Sequence, residues 1–384
     1  MNGRVVALLL MTLVIYGSVA GCGKAASATL ALGAMAPSFA LAGADGKTHS
    51  LTDYSSSSVL VVVFTCNHCP AAQLYEQRIQ RLHADYRTRG VAVVAINPDS
   101  VKTVGLRELA YSDVPDSLEG MATRAAYRHL DYPYLYDGNA QAAAAAFKVI
   151  ALPQVFVFDA QRTLRYVGRI DDNVDAARVK SNDARAAVDA LLAQQPVKVA
   201  TTPVEGCAMN WLHAANKPSA EEAEDPGANV QLELIGPAQL ESLRSNGTPR
   251  LMMVNFWATW CAPCIVEFPE LQKIYRTYRS RGFEFVTVSV DSPDARPGVM
   301  KLLQEQRASS RNHLFDSDDS ARLQDAFDRA MPAAVPFTLL LAPNGDVVHQ
   351  QLGEAEFLSL RRAILANLPD DPKYPGLQAY WATN

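Results

Sequence analysis

Two stretches of the chain share one order of hydrophobic and polar positions. The runs "SSVLVVVFTC" and "LMMVNFWATWC" are largely apolar or β-branched, and each ends at the first of two cysteines spaced three residues apart. Apolar residues then recur at helical spacing, from Tyr75 after the first run and from Leu271 after the second. Continuous apolar runs are typical of strands buried on both faces of a sheet, and the later spacing is typical of helices. The pattern predicts a buried strand followed by a helix at both places.

A second pattern follows each of these two units. An X-Pro step at Pro153 or Pro336 precedes an apolar strand, a polar turn and a further strand. The whole order therefore occurs twice, as an internal repeat of about 190 residues. A chain of 384 residues is long for one compact core and sufficient for two. We predict two domains of the same α/β pattern.

Composition and charge add exclusions. With 49% hydrophobic and 20% charged residues, the chain is typical of a globular protein rather than a disordered or fibrous one. A formal net charge of -5 gives no basic surface for nucleic acid, so we expect no nucleic-acid partner.

The amino terminus predicts an export signal. Arg4 precedes an apolar run from Val5 to Tyr16, which is shorter than the roughly 20 residues that span a bilayer. The run leads into "VAGC", which resembles the bacterial lipobox. This resemblance implies a signal peptide over residues 1–21, a lipid anchor on Cys22, and a protein that faces the periplasm in the cell envelope of a bacterium. Ordinary cleavage nearby, with Cys22 uninvolved, is the alternative.

The other five cysteines form two close pairs and one single residue, Cys207. Each pair is expected where a strand ends and a helix begins, and the first helical turn has unpaired N–H groups and a positive dipole end that stabilise a thiolate. A cysteine one turn later can attack the resulting mixed disulfide. We therefore predict that Cys66 and Cys261 attack, and that Cys69 and Cys264 resolve.

Two other interpretations of the pairs exist. Four thiolates could hold a structural zinc ion, or each pair could be an inert disulfide of an exported protein. Zinc is disfavoured because the pairs end two separate strands in different halves, and because the histidines show no metal-ligand spacing. We expect no metal and no bound cofactor, since the cysteines themselves carry the electrons.

A strand that ends at Cys-x-x-Cys before a helix, followed by X-Pro and two more strands, resembles the thioredoxin fold. The resemblance implies two tandem thioredoxin-like domains, each a central mixed sheet flanked by helices. In that family the proline is cis and lies against the active-site disulfide, which makes Pro153 and Pro336 the candidates. A plain turn before a strand is the alternative.

The second half resembles envelope-anchored reducing proteins of the TlpA and ResA type, through "VNFWATWCAPCIVEFPEL", and the resemblance covers residues 230–368. Asn255 stands where a typical thioredoxin has a buried aspartate. Glu267 matches an acid that these relatives use, which implies that it accepts the proton of Cys264. A solvated helix glutamate is the alternative. A tail over residues 369–384 follows.

The first half resembles peroxiredoxin-like redoxins that carry "CNHCP", with a domain over residues 32–195. "DSLEGM", "YPYLYD", "GRIDDN" and "GCAMNW" match that group in order. A true peroxiredoxin has a threonine three residues before its peroxidatic cysteine, and a proline four residues before that. Before Cys69 these places hold Cys66 and Val62, so peroxidase activity is an alternative rather than the first expectation.

Two further residues are expected to tune the first pair. His68, when charged, stabilises a thiolate, which predicts that the Cys66–Cys69 bond is more oxidising than Cys261–Cys264. Cys207 falls in a predicted linker over residues 196–229, where it could pair with either cysteine of the first motif or pack as a small apolar residue.

These inferences predict a lipid-anchored thiol-disulfide oxidoreductase. It would exchange disulfides with thiols of envelope proteins through two Cys-x-x-Cys sites, with a membrane thiol reductase as its electron donor. The alternatives are a thiol peroxidase and a non-enzymatic adaptor that holds envelope partners through the linker.

Overall fold

The computed structural model describes residues 29–214 and 229–383. The predicted signal peptide, Cys22 and the middle of the predicted linker lie outside these residues. The described chain contains two α/β units, each with its own central sheet, as the repeat predicts. Within the described residues no helix has the length and apolar character to span a membrane.

The first unit is built on a mixed sheet that has seven strands in the described residues. Its strands, with a small separate pair formed by β6 and β9, are β1 (Ala40–Gly43), β2 (Thr48–Ser50), β3 (Val59–Phe64), β4 (Val91–Asn97), β5 (Tyr134–Tyr136), β6 (Ala151–Leu152), β7 (Gln154–Phe158), β8 (Leu164–Gly168) and β9 (Cys207–Ala208). Its helices are α1 (Pro70–Tyr86), α2 (Leu106–Leu109), α3 (Leu118–Tyr127), α4 (Ala142–Phe147) and α5 (Asp183–Leu192). The strand order is β2-β1-β5-β4-β3-β7-β8, and β3 lies parallel to β4 and antiparallel to β7.

The second unit repeats this plan on a sheet that has six strands in the described part of the chain. Its strands are β10 (Glu233–Ile235), β11 (Leu251–Trp257), β12 (Phe283–Ser289), β13 (Arg311–Phe315), β14 (Phe337–Leu341) and β15 (Val347–Leu352). Its helices are α6 (Pro237–Ser245), α7 (Ala262–Tyr278), α8 (Arg296–Glu305), α9 (Ser320–Phe327), α10 (Phe357–Asn367) and α11 (Leu377–Ala382). The order is β10-β13-β12-β11-β14-β15, and β11 lies between parallel β12 and antiparallel β14.

Strand β3 is buried on both faces, as its apolar run predicts. Leu60, Val62 and Phe64 lie in one hydrophobic cluster, whereas the alternating residues of the strand lie in a second cluster on the opposite face. Successive strand side chains point to opposite faces, so one continuous apolar run supplies both cores. The central position of β3 fixes the loop that carries the first cysteine motif.

The two units pack against each other through the carboxyl-terminal tail and the insertion between Cys69 and Pro153. The hydroxyl of Tyr380 on α11 donates to Glu76 Oε1 of α1 at 2.9 Å, and the hydroxyl of Tyr278 on α7 donates to the carbonyl of Ser112 at 2.7 Å. Both donors are buried. Tyr380 and Trp381 also lie in one hydrophobic cluster with Leu251 and Leu360 of the second domain, so the tail contacts both domains.

The segment that contains Cys207 packs against the first domain, although the sequence pattern predicts a linker there. Strand β9 pairs antiparallel with β6, so that Cys207 faces Leu152, the residue before Pro153. Met209 is buried in the same core cluster as β3. This packing agrees with the match of "GCAMNW" to first-domain relatives.

Candidate redox sites

The second cysteine motif lies at the start of α7. Cys261 is the N-cap of this helix, and its sulfur accepts a hydrogen bond from the backbone N–H of Cys264 at 3.3 Å. The two cysteines are joined by a disulfide, as their spacing predicts. Unpaired N–H groups and the positive end of the helix dipole at this position stabilise a thiolate once the bond is reduced. Cys261 thus has the electrostatic setting of an attacking sulfur.

Asp291 fixes the loop before Cys261. It follows β12, the parallel neighbour of β11, and its carboxylate accepts from the backbone N–H of Thr259 at 2.9 Å and from the Thr259 hydroxyl at 2.6 Å. Carboxyl ends of adjacent parallel strands lie side by side, so this contact ties the cysteine loop to the sheet. Asp291 was not predicted from the sequence.

Glu267 lies one turn after Cys264, with its side chain turned into the protein. Its carboxylate accepts from the Asn255 side-chain amide at 3.2 Å and from the backbone N–H of Ala355 at 2.9 Å. Burial raises the pKa of Glu267 to about 7, although these two hydrogen bonds act in the opposite direction. A carboxylate with this pKa takes up a proton readily near neutral pH. The solvated alternative for Glu267 is wrong, because only 3% of the residue is exposed.

The second disulfide is buried, but it lies next to an exposed tryptophan and an apolar cavity. The Val335–Pro336 peptide is cis, as predicted, and Val335 packs against the cluster that contains both cysteines. Trp260, directly before Cys261, is 69% exposed. A cavity of about 180 Å³ adjoins Trp260 and is lined largely by apolar side chains, including Phe315, Leu323 and Met331.

The first motif lies differently relative to its helix. Cys69, the second cysteine, is the N-cap of α1, whereas Cys66 lies in the loop before it. The position of proline explains the difference, because proline favours the first helical turn. Pro70 follows Cys69 and is the first residue of α1, whereas Pro263 lies between the cysteines of the second motif. The prediction that Cys66 lies at a helix start is wrong. The proline that ends "CNHCP" indicated that the helix begins after Cys69.

The disulfide of the first domain joins Cys69 to Cys207 rather than to Cys66. Cys66 is a free thiol, so the expected Cys66–Cys69 bond is absent from this state of the described chain. Of the alternatives for Cys207, the structure has the pairing with Cys69. The Leu152–Pro153 peptide is cis, as predicted, and Cys69 Sγ lies 3.7 Å from the carbonyl oxygen of Leu152.

The thiol of Cys66 is buried beside an ion pair. His68 Nδ1 lies 2.6 Å from Asp116 Oδ2, and both side chains are inaccessible to solvent. Burial disfavours the charged imidazole, but the proximity of Cys66 and Asp116 outweighs this and raises the pKa of His68 well above its usual value. Burial likewise raises the pKa of the Cys66 thiol to about 12, which the charge of His68 only partly offsets. Cys66 is therefore protonated at neutral pH, contrary to the expectation of a thiolate.

Two aspartates complete this buried group, and neither was predicted from the sequence to be functional. Asp116 Oδ1 accepts from the backbone N–H of Asn67 at 2.7 Å and from the Asn97 side chain at 2.8 Å. Asp99 lies just beyond the carboxyl end of β4, and its Oδ2 is 3.9 Å from His68 Nδ1. The signals were present, because Asp116 begins "DSLEGM" and Asp99 follows a strand parallel to β3.

Models of two protein families match the chain, one in each domain. The AhpC/TSA family matches residues 32–167, and the Redoxin family matches residues 237–364. The thiol-disulfide oxidoreductase ResA of Bacillus subtilis (strain 168) is 32% identical over 135 residues, which cover 35% of this chain and 69% of that protein. The chain therefore belongs to the thioredoxin-like family that includes ResA.

Other relatives match smaller or separate parts. ResA of Oceanobacillus iheyensis is 32% identical over 111 residues, 28% of this chain and half the length of that relative. Two solved structures are also similar. A hypothetical protein from Sinorhizobium meliloti 1021 has 31% identity, covers 48% of this chain and 97% of its own, and has a TM-score of 0.43. An uncharacterized conserved protein from Geobacillus kaustophilus has 34% identity. The match covers 49% of this chain and 94% of that protein, with a TM-score of 0.43.

One group of side chains in the described residues has a donor set that could hold a metal ion. The ligand atoms of Cys66, His68 and Asp116 all lie within 4.8 Å of one another. Tetrahedral zinc, with bonds of about 2.0–2.3 Å, separates its ligand atoms by more than about 3 Å. His68 and Asp116 are closer than this, at 2.6 Å, because they bond directly to each other. As arranged, the group is a hydrogen-bonded network and does not fit a zinc ion.

Proposed function

We propose that this member of the ResA-containing family is a thiol-disulfide oxidoreductase that exchanges disulfides with other proteins through Cys261 and Cys264. The observation that carries the proposal is the Cys261–Cys264 disulfide at the start of α7, with the buried carboxylate of Glu267 one turn further along the same helix. These groups supply an attacking sulfur, a resolving sulfur and a proton acceptor in one helical segment.

The reaction proceeds in two exchanges. In the reduced protein, the Cys261 thiolate attacks a substrate disulfide and forms a mixed disulfide, while one substrate sulfur leaves as a thiolate that takes up a proton from water. Cys264 then attacks the Cys261 sulfur, its proton passes to Glu267, and the second substrate sulfur is released. A carboxylate with a pKa of about 7 suits this transfer at neutral pH.

We further propose a location and an electron source that are in keeping with the predicted export signal. A lipid on Cys22 would hold the protein at a membrane of the bacterial envelope, where its substrates are thiols or disulfides of envelope proteins. A membrane thiol reductase would return the Cys261–Cys264 pair to its reduced form. Oxidised Cys261–Cys264 is the form that such a donor would reduce.

Trapping of mixed disulfides tests this function. In a Cys264→Ser variant, Cys261 can attack a substrate but nothing resolves the product, so partner proteins should remain bound through a reducible bond. Cys261→Ser is the matched control, and it should trap no partner. Equal capture by the two variants, or capture that resists dithiothreitol, would contradict the proposal and favour a non-enzymatic adaptor.

A second candidate is peroxide reduction by the first domain. The match to the AhpC/TSA family over residues 32–167 and the bond between Cys69 and Cys207 favour it. A disulfide between a helix-start cysteine and a distant one is what remains after a two-cysteine peroxidase has reacted. The test is hydrogen peroxide consumption by a Cys261→Ser/Cys264→Ser variant with dithiothreitol as reductant, compared with the same variant that also carries Cys69→Ser. Equal rates would eliminate the candidate.

A further inference from the structure

The first domain brings three cysteines together, and only two of them are bonded to each other. Cys69 and Cys207 form the disulfide, and Cys66 is a buried thiol three residues before Cys69. Cys66 and Cys69 belong to the same core cluster, and Cys207 packs against it. A thiol packed in the same cluster as a disulfide sulfur can attack that sulfur once it loses its proton.

The neighbours of Cys66 are unusual for a thiol that only fills space. The thiol contacts the His68 imidazole and the Asp99 carboxylate. Asp99 is fully buried, and within the described residues its Oδ2 accepts no hydrogen bond from an N–H or O–H group. The Cys66 thiol and His68 Nδ1, 3.9 Å away, are polar neighbours of this carboxylate, so a proton acceptor lies beside the thiol. Burial, above all, raises the pKa of Asp99 to about 7, close to the working range of a proton acceptor.

We infer that Cys66 attacks Cys69 and converts the Cys69–Cys207 disulfide into Cys66–Cys69, which releases Cys207 as a thiol. The inference goes beyond the proposed function, because it describes an exchange within the first domain that does not require Cys261 or Cys264. The first domain then has two alternative disulfides. Cys66 is the free thiol when Cys69 is bonded to Cys207, and Cys207 is the free thiol when Cys69 is bonded to Cys66.

The step balances within the protein. The S–H proton of Cys66 passes to Asp99, the Cys66–Cys69 bond forms and the Cys69–Cys207 bond breaks. The electron pair of the broken bond remains on Cys207, which takes up a proton from water. One disulfide and one thiol are present before and after, so no oxidant or reductant is consumed. The charged imidazole of His68 lies beside Cys66, whose sulfur becomes negative when its proton leaves.

The exchange would also loosen the segment over Cys69. That segment is held at Cys207 by the disulfide and by pairing of β9 with β6, and at Asn210 by a backbone hydrogen bond to Asp99 Oδ1 at 3.3 Å. Gly206 passes so close to Leu152 that a Cβ on it would lie 1.9 Å from the Leu152 carbonyl oxygen. Asp99 thus contacts both the attacking thiol and the segment that is released. When Asp99 takes up a proton it loses its negative charge, and the hydrogen bond that it accepts from the backbone N–H of Asn210 becomes weaker.

The test measures exposure of Cys207 in the absence of any reductant. Full-length protein in its Cys69–Cys207 form is incubated with N-ethylmaleimide, and the labelled sites and disulfides are then mapped by mass spectrometry of non-reduced peptides. We expect Cys207 to become labelled while an equal amount of the Cys66–Cys69 bond appears. In Cys66→Ala, which retains the original disulfide, labelling of Cys207 should be about tenfold slower or absent.

Two further variants distinguish the possible failures. In the Cys261→Ser/Cys264→Ser variant, Cys207 should become labelled as fast as in the wild type. Failure of the proposed function at Cys261 and Cys264 would therefore not change the labelling of Cys207. Cys207→Ser in oxidised glutathione should contain the Cys66–Cys69 bond. The inference is overturned if Cys207 labels equally in the wild type and Cys66→Ala, or if folded Cys207→Ser, checked by circular dichroism, retains two free thiols at Cys66 and Cys69.

Discussion

The two Cys-x-x-Cys sequences occupy different positions relative to the helix that follows each of them. In the second domain Cys261 caps α7 and bonds to Cys264 within the first turn. In the first domain Cys69 caps α1, bonds to a residue 138 positions away, and leaves Cys66 buried in the preceding loop. The comparison teaches that spacing between cysteines does not decide which sulfur is activated. The residue at which the helix begins decides it, and proline sets that residue.

The access to the two bonds differs as well. Strand β9 of the same chain pairs beside Pro153 and lies over Cys69. The corresponding side of the second domain has the exposed Trp260 and the apolar cavity that adjoins it. The exposed Trp260 and its cavity favour the proposal that the second site receives an outside partner, whereas a segment of the same chain is bonded to Cys69 in the first site.

The largest expected effect is a difference in disulfide-reduction rate between variants of Cys261 and Cys66, the first cysteine of each motif. Cys261→Ser should lower the reduction of insulin disulfides, with dithiothreitol as the donor, by about 10³-fold or more, because it removes the attacking sulfur. Cys66→Ser should lower the same rate by less than about tenfold, because that sulfur is not at a helix start. Equal losses in the two variants would remove the distinction between the motifs.

The two disulfides should also differ in their contribution to stability. Loss of the Cys69–Cys207 bond in Cys66→Ala/Cys207→Ser should lower the free energy of unfolding of the first domain by about 2–4 kcal/mol relative to Cys66→Ala, because the bond closes a long loop. Cys264→Ser opens a loop of three residues and should cost less. Urea denaturation followed by circular dichroism measures both. A larger loss in Cys264→Ser would contradict the comparison.

The proton acceptor gives the second site a pH dependence. The insulin-reduction rate of the wild type should rise as pH increases through about 7, because Glu267 must be ionised to take the proton of Cys264. Glu267→Gln should lack this rise and be slower by about 100-fold at pH 8. The control is Glu270→Gln on the same helix. The carboxylate of Glu270 pairs with Arg361, so this variant removes a carboxylate from α7 other than the proposed proton acceptor. Loss of the pH dependence in both variants would assign it to another group.

The smallest expected effect is on stability. The pKa of Glu267 rises from 4.5 to about 7 on folding, mainly through burial, so the folded chain binds a proton more tightly than the unfolded chain does. This contribution is complete below pH 4.5 and is lost as pH rises through about 7. Glu267→Gln should therefore exceed the wild type in unfolding free energy by about 2 kcal/mol at pH 8, and match it at pH 4. Urea titrations at the two pH values test this, and an equal difference at both would contradict it.

The sequence predicted what periodicity and turn chemistry determine. Strands β3 and β11, the helices after them and the cis peptides at Pro153 and Pro336 are present as expected. The missed features depend on residues far apart in the chain. Asp116 reaches His68 from the insertion, and Cys207 reaches Cys69 from a segment that reads as polar linker. Local patterns carry no distance information of that kind.

One expectation about the first pair stays a prediction. His68 was expected to make a Cys66–Cys69 bond more oxidising than Cys261–Cys264, and this requires that bond to form. The proposed exchange supplies the state in which it can be measured. Equilibration of the Cys207→Ser variant with glutathione, followed by peptide mapping of both motifs, compares the two potentials directly.

Alkylation of the fully reduced chain tests most directly whether helix position selects the reactive sulfur. Reduced full-length protein at pH 7 is treated with limiting iodoacetamide, and the labelled fraction of each cysteine is followed by mass spectrometry. We expect Cys261 to react first and Cys66 at least about 100-fold more slowly, since only the thiolate reacts and burial raises the pKa of Cys66 to about 12. Labelling of Cys66 as fast as Cys261 in the folded protein would contradict the account.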